Sequence, residues 1–215
     1  MKTKLLLLLS LVAAGFSASA QQAFHIQNSG FTAASRGIND FDVVDSNIVW
    51  AVAYDGSGGN ATIRDFSVTT DGGYSWLAGA VKGTTATSLN NYGLANISAI
   101  DANTAYAAIY PATAALGLQG IYKTTNGGVN WTRVIGTYDN SGSCNGAVNF
   151  RAADLEIAAN GDIYAATGMM SDATTNKGKV FKSEVSNGDS IGNTSRWVDV
   201  TPPAIPTSAN WRRIE

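Results

Sequence analysis

One eight-residue block occurs twice in this chain. Thr69-Thr70-Asp71-Gly72-Gly73-Tyr74-Ser75-Trp76 returns as Thr124-Thr125-Asn126-Gly127-Gly128-Val129-Asn130-Trp131, every matched position 55 residues later. The surroundings repeat as well. Asp45-Ser46-Asn47-Ile48-Val49-Trp50-Ala51-Val52 aligns with Asp101-Ala102-Asn103-Thr104-Ala105-Tyr106-Ala107-Ala108, 56 residues on. A third copy reads Asn160-Gly161-Asp162-Ile163-Tyr164-Ala165-Ala166, then Val180-Phe181-Lys182-Ser183, then Arg196-Trp197-Val198-Asp199-Val200. Blocks that recur in one order define a repeat architecture, in which each unit buries its apolar faces against its neighbours.

Each unit reads as strands throughout. Phe41 to Val44 meets a turn at Asp45-Ser46-Asn47, and Ile48 to Tyr54 follows. Gly56 to Asn60 is a loop, Thr62 to Thr69 a third strand, and the octet turns into a fourth from Tyr74. Period-two stretches between Asn- and Gly-rich turns indicate a four-stranded antiparallel meander. No stretch after residue 20 carries a sustained helical stripe. Four strands in about 50 residues is the size of one propeller blade. The expected fold is therefore all-β: a β-propeller with three blades, at 38–82, 94–137 and 152–200. Trp211-Arg212-Arg213-Ile214-Glu215 matches the opening of a further innermost strand. Three blades do not close a ring, so residues 21–215 are expected to be a C-terminally truncated propeller completed by blades beyond them.

Residues 1–20 have the layout of a secretory signal peptide. Lys2 and Lys4 precede an apolar run from Leu5 to Ala14, and Ala18-Ser19-Ala20 ends in small residues suited to cleavage. The mature chain is expected to be secreted or displayed at the cell surface, with no transmembrane segment after cleavage. Composition narrows the partners. Fourteen basic and 16 acidic side chains give a net charge of −2, which offers no broad basic surface to nucleic acid. Charged residues are only 14% of the chain, so its surface is largely neutral Asn, Ser and Thr. His25 is the single histidine and Cys144 the single cysteine. That count excludes metal sites built from those ligands, and it excludes an internal disulfide. No cofactor is implied. Asp55-Gly56-Ser57-Gly58-Gly59-Asn60 gathers oxygen atoms but lacks the spacing of a calcium loop.

The octets fit the pattern Ser/Thr-x-Asp-x-Gly-x-x-Trp, and on this ground the chain resembles the Asp-box (BNR) β-propellers. That superfamily includes sialidases, xyloglucan-active glycoside hydrolases, the sortilin ectodomain and a photosystem II assembly factor. The chain is most similar to exported bacterial repeat proteins of that kind, many of which carry a C-terminal sorting domain for type IX secretion. The resemblance implies structural roles for Thr69, Asp71, Gly73 and Trp76, and for Thr124, Asn126, Gly128 and Trp131. The carboxylate or amide caps the turn. The glycine takes a conformation closed to other residues, and the indole fills the space between sheets. Such hairpins lie at the blade periphery in the family, away from the central channel. The third unit departs from the pattern: counting from Ser183 the tryptophan falls at 190, whereas Trp197 stands seven residues later.

Catalysis in this superfamily requires converging arginines or carboxylates. Arg36 and Arg151 each precede an innermost strand and are candidates for the channel mouth, while Arg64 and Arg133 lie in outer parts of the blades. Asp42 and Asp154, with Asp40 nearby, are candidate channel carboxylates for a xyloglucanase-like reaction. The leading expectation is a recognition or scaffolding module for extracellular glycan or protein. The alternative is a glycoside hydrolase, xyloglucanase-like or sialidase-like, whose second catalytic half lies beyond residue 215. A purely structural adhesin repeat is a third reading.

Overall fold

A computed structural model describes residues 28–59, 61–83, 89, 91–112, 118–136, 151–168, 180–183 and 197–200. Residues 1–20, His25, Cys144, Arg196, Trp211, Arg212 and Arg213 lie outside these residues. Twelve strands are present, in three groups of four. The first group is β1 (Arg36–Val43), β2 (Val49–Asp55), β3 (Asp65–Thr69) and β4 (Leu77–Ala80). The second is β5 (Tyr92–Ala99), β6 (Ala105–Pro111), β7 (Gly120–Thr124) and β8 (Thr132–Gly136). The third is β9 (Arg151–Ile157), β10 (Ile163–Gly168), β11 (Val180–Ser183) and β12 (Trp197–Asp199). Within each group the strands pair antiparallel in chain order, so every group is one up-and-down sheet. The protein is all-β, built of propeller-type four-stranded blades, and the ring is not closed.

Two strands start later than the periodicity suggests. β3 begins at Asp65 rather than Thr62, and β4 at Leu77 rather than Tyr74. The cause is local. Asp55 draws the amides of Ser57 and Ala61 onto its carboxylate and holds that stretch as a loop. The octet likewise spends Asp71 to Trp76 on its own turn.

All three first strands carry a bulge at the same place. Asn39 is skipped between Ile38↔Ala53 and Asp40↔Val52, and Ala95 between Leu94↔Ile109 and Asn96↔Ala108. Ala153 is skipped between Ala152↔Thr167 and Asp154↔Ala166. A bulge adds one residue and re-aims the side chains after it. It also fixes the register of the repeats: Asp40, Asn96 and Asp154 are equivalent, and so are Asp42, Ser98 and Glu156.

The core lies between blades. Trp50, Val52, Phe66 and Val68 of the first blade pack on Leu94, Ile97, Ala105 and Trp131 of the second. Phe66 contacts Trp50 and Trp131 with ring centroids 5.6 and 5.5 Å apart. Tyr106, Ala108 and Ile121 on the other side of the second blade pack on Ala152, Leu155 and Phe181 of the third. Buried apolar area at this density drives such stacking. The side of β1 turned away from the second blade is open, leaving Phe41 62% and Val43 55% exposed.

Candidate functional site

The ends of the strands divide the molecule into two unlike faces. Short turns at 44–48, 100–104 and 158–162, and the octet hairpins at 70–76 and 125–131, emerge on one face. The connections 56–64, 112–119 and 169–179 within blades, and 81–91 and 137–150 between blades, emerge on the other. Loops carried on a rigid scaffold are where binding groups collect.

The first face saturates its own polar groups. The Thr69 hydroxyl donates to Asp71 Oδ1 at 2.9 Å and accepts from the Gly73 amide at 2.9 Å. Asp71 Oδ1 accepts from the Ser75 amide at 2.9 Å, and its Oδ2 takes the Ser75 hydroxyl. Trp76 Nε1 donates to the Gly73 carbonyl at 3.1 Å. The second octet repeats this network atom for atom. Thr124 Oγ1 donates to Asn126 Oδ1 at 3.0 Å, Gly128 and Asn130 donate their amides at 2.9 Å, and Trp131 Nε1 reaches the Gly128 carbonyl at 3.1 Å. Each hairpin is also tied to the short turn beside it. The Gly72 amide donates to the Asn47 carbonyl and Gly127 to Asn103, both at 3.0 Å. Gly73 and Gly128 stand at φ +92° and +84°, where only glycine is unstrained. Trp131 is fully buried between sheets, whereas Trp76 is only half-buried, because no described sheet covers that side of the first blade. Asn187-Gly188-Asp189 of the third unit lies outside the described residues. Ser183 ends β11 and is buried, and Trp197 begins β12.

The first strands carry a row of polar groups. Asp42 Oδ2 accepts the Ala99 amide at 2.6 Å, and Asp40 Oδ2 accepts Asn96 Nδ2 at 2.6 Å. Asn39 Nδ2 donates to the Ala95 carbonyl at 3.2 Å. These bonds stitch β1 to β5 of the next blade. Burial pushes the Asp42 carboxyl up. Donation from the Ala99 amide and the Ser98 hydroxyl works against that shift, and the Asp40 charge adds to it. Asp154 is buried and accepts the Leu155 amide at 3.0 Å. Its repeat partner is Asp40, not Asp42; the residue equivalent to Asp42 is Glu156. That glutamate is exposed, and its carboxyl is raised by partial burial and by the charges of Asp42, Asp154 and Asp40. Pairing Asp42 with Asp154, as the sequence suggests, therefore joins positions of different register. Glu156 is the group that spacing alone misses, and aligning the third unit on its bulge recovers it. No group of three metal-ligating side chains occurs among the described residues.

Arg36 opens β1 on the loop-bearing face, but its guanidinium is engaged within its own blade. Nε donates to Asp65 Oδ2 at 2.6 Å, and NH1 lies 3.9 Å from Asp55. Arg64 donates to the Val81 carbonyl at 3.1 Å. Arg151 pairs with Gly168 through the backbone, and its side chain lies outside the described residues. The oxygens of Asp55, weighed above for calcium, are occupied by the amides of Ser57 and Ala61.

Two tyrosines on this face carry no expectation from the sequence. Tyr54 stands opposite Gly37, and Tyr110 opposite Gly93. Each phenol lies where a side chain on its glycine would stand. A Cβ on Gly37 would fall 2.1 Å from Tyr54 Cε1, and one on Gly93 would fall 2.3 Å from Tyr110 Cζ. The signal was present as a Tyr and a Gly recurring together at the 56-residue offset.

No family model matches this chain, and no curated protein matches it. Solved structures similar to it include an ancestral GH74 enzyme, at 21% identity over 72% of this chain and 18% of that one, with a TM-score of 0.43. YCF48 from Cyanidioschyzon merolae is similar at 16% identity over 84% of this chain and 61% of that one, with a TM-score of 0.40. YCF48 bound to D1 peptide is similar at 14% identity over 85% and 62%, with a TM-score of 0.38. The chain spans less than two thirds of the length of each of these structures.

Proposed function

We propose that this chain is part of an exported, non-catalytic recognition module that binds extracellular glycan or protein on its loop-bearing face. The observation that carries the reading is the use made of the axial carboxylates. Asp40 and Asp42 hold the next blade at 2.6 Å each, so both act as joints between sheets. A glycosidase needs two carboxyl groups free to reach the scissile bond from either side. Export rests on the layout of residues 1–20, and recognition on the contrast between a self-saturated face and a loop-bearing one.

A second reading keeps one specific observation in its favour. Glu156 is exposed and raised by three neighbouring acids, the condition in which a carboxyl holds a proton and acts as a general acid. Incubating the full chain with xyloglucan and with a fluorogenic sialoside separates the two. Recognition predicts no turnover of either. Turnover that disappears in Glu156→Gln would establish the hydrolase instead.

A further inference from the structure

The pairing of Tyr54 with Gly37 and Tyr110 with Gly93 belongs to a larger recurring constellation. The Gly56 amide donates to the Ser35 carbonyl at 2.7 Å, closing the strand end beside Tyr54. One repeat later the Ala112 amide donates to the Asn91 carbonyl at 2.8 Å, closing the same end beside Tyr110. Ser35 and Asn91 are thus equivalent, and both are exposed. Ser57, also exposed, follows Gly56 on the other flank of Tyr54. A Cβ placed on Gly56 would lie 3.7 Å from Tyr54 Cε2 and 3.1 Å from the Ser35 carbonyl. The ring, the backbone of both flanks and the neutral side chains therefore form one local surface.

The ring itself is held in place rather than free. Its phenol end fills the space above glycine and cannot rotate inward, yet Tyr54 remains 49% exposed. Tyr110 sits deeper and is half-buried. An exposed aromatic ring fixed by backbone contacts offers binding area without the usual loss of side-chain freedom. Beside each ring stands a neutral hydrogen-bonding side chain, not a charged one. The nearest charges, Arg36, Asp55 and Asp65, are paired with one another. An apolar ring face with neutral donors and acceptors at its edge suits the C–H face and hydroxyl rim of an uncharged sugar. An anionic ligand would find no unpaired cation there.

We propose that Tyr54 with Ser35 and Ser57, and Tyr110 with Asn91, are two successive subsites for neutral sugar rings on the loop-bearing face. This rests on the recognition reading and gives it a ligand class. Titration calorimetry on the full chain tests it with cellohexaose, maltohexaose and chitohexaose as probes, and with a proline-rich decapeptide in parallel. The expected result is binding of at least one hexaose. Tyr54→Ala should weaken it by about tenfold or more, the size of a central aromatic anchor, and Tyr110→Ala by less. Tyr54→Trp keeps a stacking ring at the site, should retain binding, and so separates loss of the platform from damage to the fold. Hexaose binding that is unchanged in both alanine variants overturns the subsites. Failure of all three hexaoses at millimolar concentration overturns the sugar assignment. If the decapeptide then binds in a Tyr54-dependent manner, the recognition reading stands with a protein ligand; if neither probe class binds, it loses its support on this face as well.

Discussion

The first and second blades make the same hairpin out of nearly the same eight residues, and they differ in almost everything that surrounds it. Thr69 and Thr124 place their hydroxyls identically, and both indoles bond the glycine carbonyl at 3.1 Å. Yet Trp131 is buried against Trp50 and Phe66, while Trp76 has residues 28–32 rather than a blade beside it, its Cβ close to Gly30. The first strands show the same contrast: Ile97 is 1% exposed and its repeat partner Phe41 is 62% exposed. Hairpin geometry is thus written within eight residues, whereas burial is supplied by the neighbouring blade. The loop-bearing ends diverge too. Blade two pins Leu118 between the hydroxyls of Tyr92 and Tyr122, at 3.0 and 2.6 Å. Blade one puts Arg36 where Tyr92 would stand and closes the same region with the Arg36–Asp65 pair. One architectural joint is made by aromatic hydroxyls in one repeat and by an ion pair in the other.

The largest test of this contrast removes the two tryptophans in turn. Trp131→Ala empties a filled space between two sheets and should cost about 3–5 kcal/mol, the usual range for a fully buried large aromatic. Trp76→Ala forfeits the same hydrogen bond but only part of that burial, so it should cost about 1–2 kcal/mol. Urea denaturation of the full chain measures both. Equal losses would mean that the indole works through the hairpin alone and that the neighbouring blade adds nothing.

Gly128 sharpens the same point. It has φ +84°, and a Cβ there would stand 2.2 Å from Phe66 Cζ on the neighbouring blade. Gly127 has φ +68°, but its Cβ would meet the Ala102 carbonyl at an ordinary 3.6 Å. Gly127→Ala should therefore cost only the left-handed conformation, about 1–2 kcal/mol. Gly128→Ala adds a clash with the ring of a neighbouring blade and should cost about 2–4 kcal/mol. If the two variants denature together, the close approach to Phe66 does not govern the position.

These pairs also mark what was legible in the sequence. The four-stranded units could be read because a repeat multiplies weak local signals: the octet, the Asp-Ser-Asn turn and the apolar strands each return at the same offset. The roles of Asp71 and Thr69 could be anticipated because an Asx or hydroxyl cap acts over four residues. What escaped depends on partners far apart in the chain. The bulges at Asn39, Ala95 and Ala153 leave no composition signal, and they alone decide that Glu156 rather than Asp154 matches Asp42. Arg36 looked like a channel-mouth cation because its partner Asp65 stands two strands away. Tyr54 looked like the end of a strand because its meaning lies in the missing side chain of Gly37.

The smallest expected effect isolates the one chemical difference between the two octets, Asp71 against Asn126. Donation from the Ser75 hydroxyl and amide holds the Asp71 carboxyl at about 2, below its ordinary 3.8. A carboxyl depressed in the folded state adds stability that is complete above its unfolded value and is lost as pH falls through the folded one. The window thus runs from about pH 4 down to about pH 2. Asn126 makes the corresponding bonds without titrating. In Asp71→Asn, the first hairpin should lose this dependence while keeping its acceptor. The denaturation midpoints of wild type and variant should accordingly differ most above pH 4 and converge as the pH approaches 2. Because Asp71 is exposed, the separation is small, and its sign is the informative quantity. A difference that widens on acidification would mean that the charged carboxylate strains the turn, and that amide and carboxylate are not interchangeable caps in this repeat.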